Sequence, residues 1–234
     1  MGPEDVSILF NAYSACRARL YGLGCTVRVL RDFSEVIPAL ERCGKDVTPF
    51  FQTRFFDFNG HNGFCHVAFA DEAPVSFYCR QLFDTGAMQY LDYHRVQLSR
   101  IYGPEYPVDE SWECPPMKEI QGKLIYSGDA LNVSGHGSAR LSLERLALIA
   151  RMNLYLGLAT WQDATACVGL ARADRVRKSL GDIYGAFHRY PYATRWLNPP
   201  DDRKQDDMFL FNWPSDVLYL AKIDAHDTAP TSAG

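Results

Sequence analysis

Residues 124–187 constrain the fold most. In turn they read LIYSGDALNV, SGHGSA, RLSLERLALIARMNLYLGLAT, DATACVGLA and DRVRKSLGDIYGAF: strand, glycine loop, long helix, strand, helix. The loop sits where a strand hands over to a helix. The first turn of a helix leaves several backbone N–H groups without internal partners, and the helix dipole adds partial positive charge beside them. An anion such as phosphate fits there without a dedicated side chain. Gly135 and Gly137 let the backbone approach a ligand closely, and Ser138 and Arg140 stand beside them as further contacts. The long helix, placed at 137–158, carries Leu143, Leu146, Ala150 and Leu154 on one side. The later helix carries Val176, Leu180, Ile183 and Phe187, with Arg175, Arg177 and Lys178 on other faces.

With 234 residues the chain can bury a sizeable core in one large domain or two small ones, and one domain over 1–224 is expected. Hydrophobic content of 47%, charged content of 22% and a net charge of −4 argue against nucleic acid as the main partner, so any basic surface must be local. No apolar run is long enough to span a bilayer, and MGPEDVS lacks the features of a signal peptide, so a cytoplasmic location is expected. Val6 stands where a myristoylation signal needs Ser or Thr. The seven cysteines show no C-x-x-C spacing and read as buried thiols. The six histidines form no pair at helical ligand spacing, and no metal site is expected.

Along the chain, Val6, Leu9, Phe10, Tyr13 and Cys16 mark an amphipathic helix over 5–21. CTVRVLRD alternates as a strand, and Ser34 is placed to cap the helix SEVIPALERCG, which contains Pro38. TPFFQTRFFDFNGHNGF gathers six phenylalanines and reads as a core helix or, alternatively, an aromatic substrate wall. GFCHVAFADE and APVSFYCRQLFD read as a hairpin turning at Asp71 to Pro74. A helix over Thr85–Tyr102 presents Ala87, Leu91, Leu98 and Ile101. The proline-rich GPEYPVDESWECPPMKEIQG follows as a long surface excursion, either a lid or a connection. ATRWLNPP reads as a strand, DDRKQDD as a polar hinge, and MFLFNWPSDVLYLAKI as a last strand broken at Pro214 with a short helix or second strand beyond. The end, 225–234, reads as a disordered tail.

From Cys25 onward this order of elements resembles the GNAT superfamily of acyl-coenzyme A N-acyltransferases over about 25–220. The resemblance implies an α/β (α+β) chain: a mixed, mostly antiparallel sheet flanked by helices, here with an extra amino-terminal helix and a helical insertion over 85–122. In that family a loop of the form Gln/Arg-x-x-Gly-x-Gly/Ala binds the coenzyme pyrophosphate; here Ser134-Gly135-His136-Gly137-Ser138-Ala139 matches the Gly and Ala positions, with Ser134 in the Gln/Arg place. IYGAF resembles the close of the family's fourth helix, and the hairpin FADEAPVSFY its second and third strands.

The resemblance implies acyl-CoA, acetyl or longer, as co-substrate. It implies coenzyme contacts from Leu131, Val133, Ser134, Gly135, His136, Gly137, Ser138, Ala139 and Arg140, with the amides near Leu131 to Val133 facing the thioester carbonyl. Acyl transfer from a thioester to an amine needs a base, oxyanion donors and an acid for the thiolate. By the resemblance Asp129 takes the amine proton and Tyr184 protonates the thiolate; as plain residues they also read as a strand-end aspartate and a core tyrosine. Arg145 and Arg151 read either as phosphate partners or as a solvated helix face. Three functions stay open: direct N-acyl transfer to a small-molecule or peptide amine, a long-chain N-acyl amino acid or acyl-homoserine-lactone type synthase using acyl carrier protein, and a non-catalytic acyl-CoA or protein binder. Monomer and homodimer also both stay open.

Overall fold

The computed structural model describes residues 1–176, 181–201, 203 and 207–226. A seven-stranded sheet has the spatial order β1-β2-β3-β4-β5-β7-β6. Its strands are β1 (Thr26–Leu30), β2 (Gly63–Ala70), β3 (Ala73–Gln89), β4 (Gln121–Asn132), β5 (Ala166–Arg172), β6 (His188–Tyr190) and β7 (Asp207–Asn212). Every neighbouring pair is antiparallel except β4 and β5. The mixed, mostly antiparallel sheet expected from the sequence is therefore the one found. The parallel pair follows from its connection: α5 (Ala139–Thr160) returns the chain to the end where β4 began, as a parallel neighbour requires.

One sheet face carries α1 (Pro3–Gly22), α5 and α8 (Pro214–His226); the other carries α2 (Phe33–Arg42), α3 (Tyr90–Tyr102) and α4 (Pro115–Glu119). α5 lies between the sheet and the pair α1 and α8, so from Arg145 onward it is buried on nearly all sides. Its cap is Ser138, whose hydroxyl accepts from the Leu141 N–H at 3.2 Å. On α1 the buried line is Leu9, Ala12, Ala15, Cys16 and Leu20, while Phe10 points outward. The β2–β3 turn is Asp71-Glu72 with both residues at positive φ, the two-residue geometry whose twist suits a hairpin.

Several expectations are corrected. The cap of α2 is Asp32, which accepts from the Ser34 N–H at 2.8 Å, and not Ser34 itself. The phenylalanine-rich stretch is no helix beyond a 3-10 turn at Pro49–Phe51. Side chains there take the backbone groups that a helix would use: Gln52 donates to Val47 O and Asn62 to Asp57 O, both at 2.7 Å. Its rings stack on neighbours instead, Phe33 on Phe58 at 3.9 Å between centroids. β3 continues to Gln89, so the following helix starts at Tyr90 and not at Thr85. The proline-rich excursion is packed and not superficial, because Trp112, Cys114, Met117 and Ile120 enter the core. ATRWLNPP forms no strand and meets the excursion at an isolated β-bridge, Val108 to Trp196, and through the Arg195–Asp109 ion pair and the bond from Asn198 to the Glu105 carbonyl. Within the helix expected over 174–187, the described residues are helical at α6 (Ala173–Arg175) and α7 (Gly181–Ile183), and 177–180, with Arg177, Lys178 and Leu180, lie outside the described residues. Gly185 at φ +65 ends α7 because its left-handed backbone stops the helix, which leaves Phe187 outside it. After Pro214 the chain is helical through His226; the rest of the expected tail, and Asp202 and 204–206 of the polar hinge, lie outside the described residues.

Candidate active site

The parallel pairing of β4 and β5 begins at Leu124 with Ala166 and ends at Ser127 with Gly169. Beyond it, β4 stays with β3 as far as Asn132, while β5 stays with β7 through Arg172 and Asp207. Each strand follows a different partner, so the two part and a cleft of about 830 Å³ opens between them. Phe77 pairs with Leu131 but Cys79 with Gly128, so Asp129 and Ala130 together face Tyr78. Asp129 takes φ +47 in this bulge, which re-aims its side chain.

Asp129 is buried, with 4% of its surface exposed, yet it lines the cleft. Its carboxylate accepts from the Thr48 N–H at 3.1 and 3.2 Å, from the Thr48 hydroxyl at 3.1 Å, and from Lys45 Nζ at 3.1 Å. Burial raises its carboxyl above the ordinary carboxylate range, while Lys45 and the Thr48 bonds pull the other way. Tyr184 reaches the cleft from the opposite face, in the turn after α7, packed edge-on to Tyr78 at 5.2 Å. Burial pushes its phenol well above the ordinary range, so it stays protonated at neutral pH. Asp129 and Tyr184 thus line one cleft, although Tyr184 is not on a regular helix.

The glycine loop is exposed at Ser134, Gly135, Gly137 and Ser138. Gly135 and Gly137 take φ +87 and +97, and a Cβ on Gly135 would meet nothing within 4 Å. Among the described residues, none accepts a hydrogen bond from the N–H groups of Ser134 to Ser138. Arg145, itself buried, donates to the His136 carbonyl and, at 3.2 Å, to Ser142 Oγ, fixing the loop from below. The cleft lining reaches Asn132 on one side of the loop and Leu143 on the other, but residues 133–142, including His136, Ala139 and Arg140, are not part of it. The Val133 N–H donates to Val75 O at 3.0 Å, so it does not face a ligand. Strand alternation turns the Asn132 N–H toward β5 instead. Leu131 does line the cleft. Arg151 pairs with the buried Asp224, away from any phosphate role.

Sequence reasoning missed Lys45, Thr48 and Arg80. Arg80 carried a signal: it stands at an inward position of the apolar strand APVSFYCRQLFD, on the same face as Tyr78 and Leu82. The cleft is lined by Lys45, Arg80, Arg172, Arg175 and Arg203 against Asp46, Asp129 and Asp207, a local basic excess in a net acidic chain. Among the described residues, no cluster of His, Cys, Asp and Glu is arranged to hold a metal ion, and no helix is long and apolar enough to cross a membrane.

No protein-family model and no curated protein matches the sequence. Solved structures that align with the chain include FeeM, an N-acyl amino acid synthase from uncultured soil microbes. It is 13% identical, with 88% of this chain and 98% of that one covered and a TM-score of 0.46. An acetyltransferase of the GNAT family from Streptococcus pneumoniae aligns at 8% identity, covering 81% and 98%, with a TM-score of 0.41. The structure of yncA from Salmonella typhimurium with acetyl-CoA aligns at 9% identity, covering 82% and 94%, with a TM-score of 0.41. The chain itself combines a mostly antiparallel sheet with one parallel pair, a glycine loop leading from β4 into a long helix, and a cleft where β4 and β5 part.

Proposed function

We propose that this protein is an N-acyltransferase that moves an acyl group from acyl-CoA to an amine held in the β4–β5 cleft. The observation that carries the reading is the buried Asp129 carboxylate and the protonated Tyr184 phenol reaching one cleft from opposite faces of the sheet. Residues suited to the coenzyme are present: exposed loop amides at the start of α5 for the diphosphate, and a parted strand pair for the pantetheine arm. Bound acyl-CoA supplies the activated thioester. Asp129 receives the amine proton as the C–N bond forms, and its raised carboxyl makes it a better base than an ordinary aspartate. Tyr184 gives its phenolic proton to the sulfur as the C–S bond breaks. The Asn132 N–H, turned toward β5, is the donor for the carbonyl oxygen.

A second reading is favoured by the bonds Asp129 already makes. If the Thr48 and Lys45 contacts only clamp the bulge to the loop before the 3-10 turn, the chain binds acyl-CoA without turnover. Thermal stabilisation by acyl-CoAs of two to twelve carbons, followed by free-thiol release with a panel of amines, separates the two. Thiol release that requires an amine supports transfer; stabilisation without release on any amine supports the binder. Charging the same acyl groups on acyl carrier protein in parallel decides the donor.

A further inference from the structure

Arg80 lies on the floor of the cleft beside Ser127, the last residue of β4 to pair with β5, with 2% of its surface exposed. Its Nε donates to Asn153 Oδ1 at 2.5 Å and the guanidinium lies against the Cys167 thiol, while its Nη1 has no hydrogen-bond partner. Room for it exists because Gly157 of α5 has no side chain: a Cβ there would stand 2.7 Å from Arg80 Cδ. Among the described residues no carboxylate pairs with this guanidinium, and the groups around it are neutral. Asn153 carries no charge. Burial drives the His66 imidazole down to about 3 and the Cys167 and Tyr78 groups up to about 11 and 12. A buried guanidinium does not shed its proton and is costly without a counter-charge, so the position calls for an anion from outside the chain.

We propose that Arg80 binds a carboxylate at the far end of the transferred acyl group, making this cleft selective for short dicarboxylic acyl thioesters. The inference rests on the acyltransferase reading above. That reading puts the amine near Asp129, on the face of Lys45 and Thr48, which leaves the α5 face, where Arg80 and Tyr184 stand, to the acyl group. Ser127, which pairs with Arg80, stands two positions before Asp129 on β4, about 6–7 Å along the strand. That offset sets the scale for a short acyl chain of four or five carbons.

The test is calorimetric titration of the full chain with free coenzyme A, butyryl-CoA and succinyl-CoA, which share their coenzyme and, in the acyl pair, their carbon count. Succinyl-CoA is expected to bind about tenfold or more tightly than butyryl-CoA, the worth of one charge-assisted hydrogen bond. Arg80→Gln is expected to bring the ratio to one or below, and Arg80→Lys to retain part of it, each checked for folding by its melting temperature. The wild-type comparison needs no variant: equal affinity, or tighter butyryl-CoA binding, overturns the inference and leaves the acyltransferase reading standing. Binding of none of the three overturns that reading and this inference with it.

Discussion

Asp129 meets two opposed demands. Its burial disfavours charge, and Lys45 with Thr48 partly restores it, leaving the carboxyl raised. Asp129→Asn keeps the Thr48 bonds near isosteric but cannot take a proton, so kcat/KM is expected to fall about 10²–10⁴-fold. Coenzyme A affinity should change little, as titration will show. Lys45→Met removes a neighbour that lowers the Asp129 pKa, so the acidic limb of the kcat/KM profile is expected to move to higher pH by about one unit. A limb that stays in place would mean that another group is the base. Gly135→Ala puts a Cβ on a backbone at φ +87 without steric contact. It is expected to cost about 1–2 kcal/mol in stability and to weaken coenzyme binding, both measurable on one preparation. The two glycines were legible because strand, loop and helix signals framed them, and Asp129 stood out only through the resemblance. Lys45 and Thr48 were not, since 81 residues separate Thr48 from the carboxylate it binds.

At the level of elements, α5 was legible almost end to end, as were the β2–β3 hairpin and β5, because each combines one strong period with its own cap or turn. Local signals failed where side chains competed for the backbone, as in the phenylalanine stretch after Thr48. They failed too where glycine stopped a helix early, as at Gly185. The composition of α5 carries a further consequence. Gly157 is the gap that admits Arg80, so Gly157→Ala must displace that side chain despite the better helix propensity of alanine. Urea denaturation is expected to show a loss of about 1–3 kcal/mol from overpacking, where an exposed helical glycine would show a gain.

Across the whole molecule, two buried histidines tie stability to pH. His66 contacts Tyr13 and Asn153 and His94 contacts Thr194, and burial drives both imidazoles down to about 3. A base with a depressed folded-state pKa is protonated in the unfolded chain first. Its contribution is therefore complete above about 6.5 and is lost as pH falls toward 3. The expected slope is about 1.4 kcal/mol per pH unit for each histidine, and His94→Gln should roughly halve it in denaturation curves taken between pH 7 and 4. The sequence by itself determined the order of most elements, the caps and turns that bound them, and the glycine junction before α5, because these depend on residues a few positions apart. Only the tertiary structure decided that β4 and β5 part after four paired residues, that Asp129 and Tyr184 reach the gap from opposite sides, and that Arg80 lies at its floor with Nη1 unpartnered. Those facts depend on which strand each neighbour prefers and on the space left by Gly157, and neither is written in local periodicity.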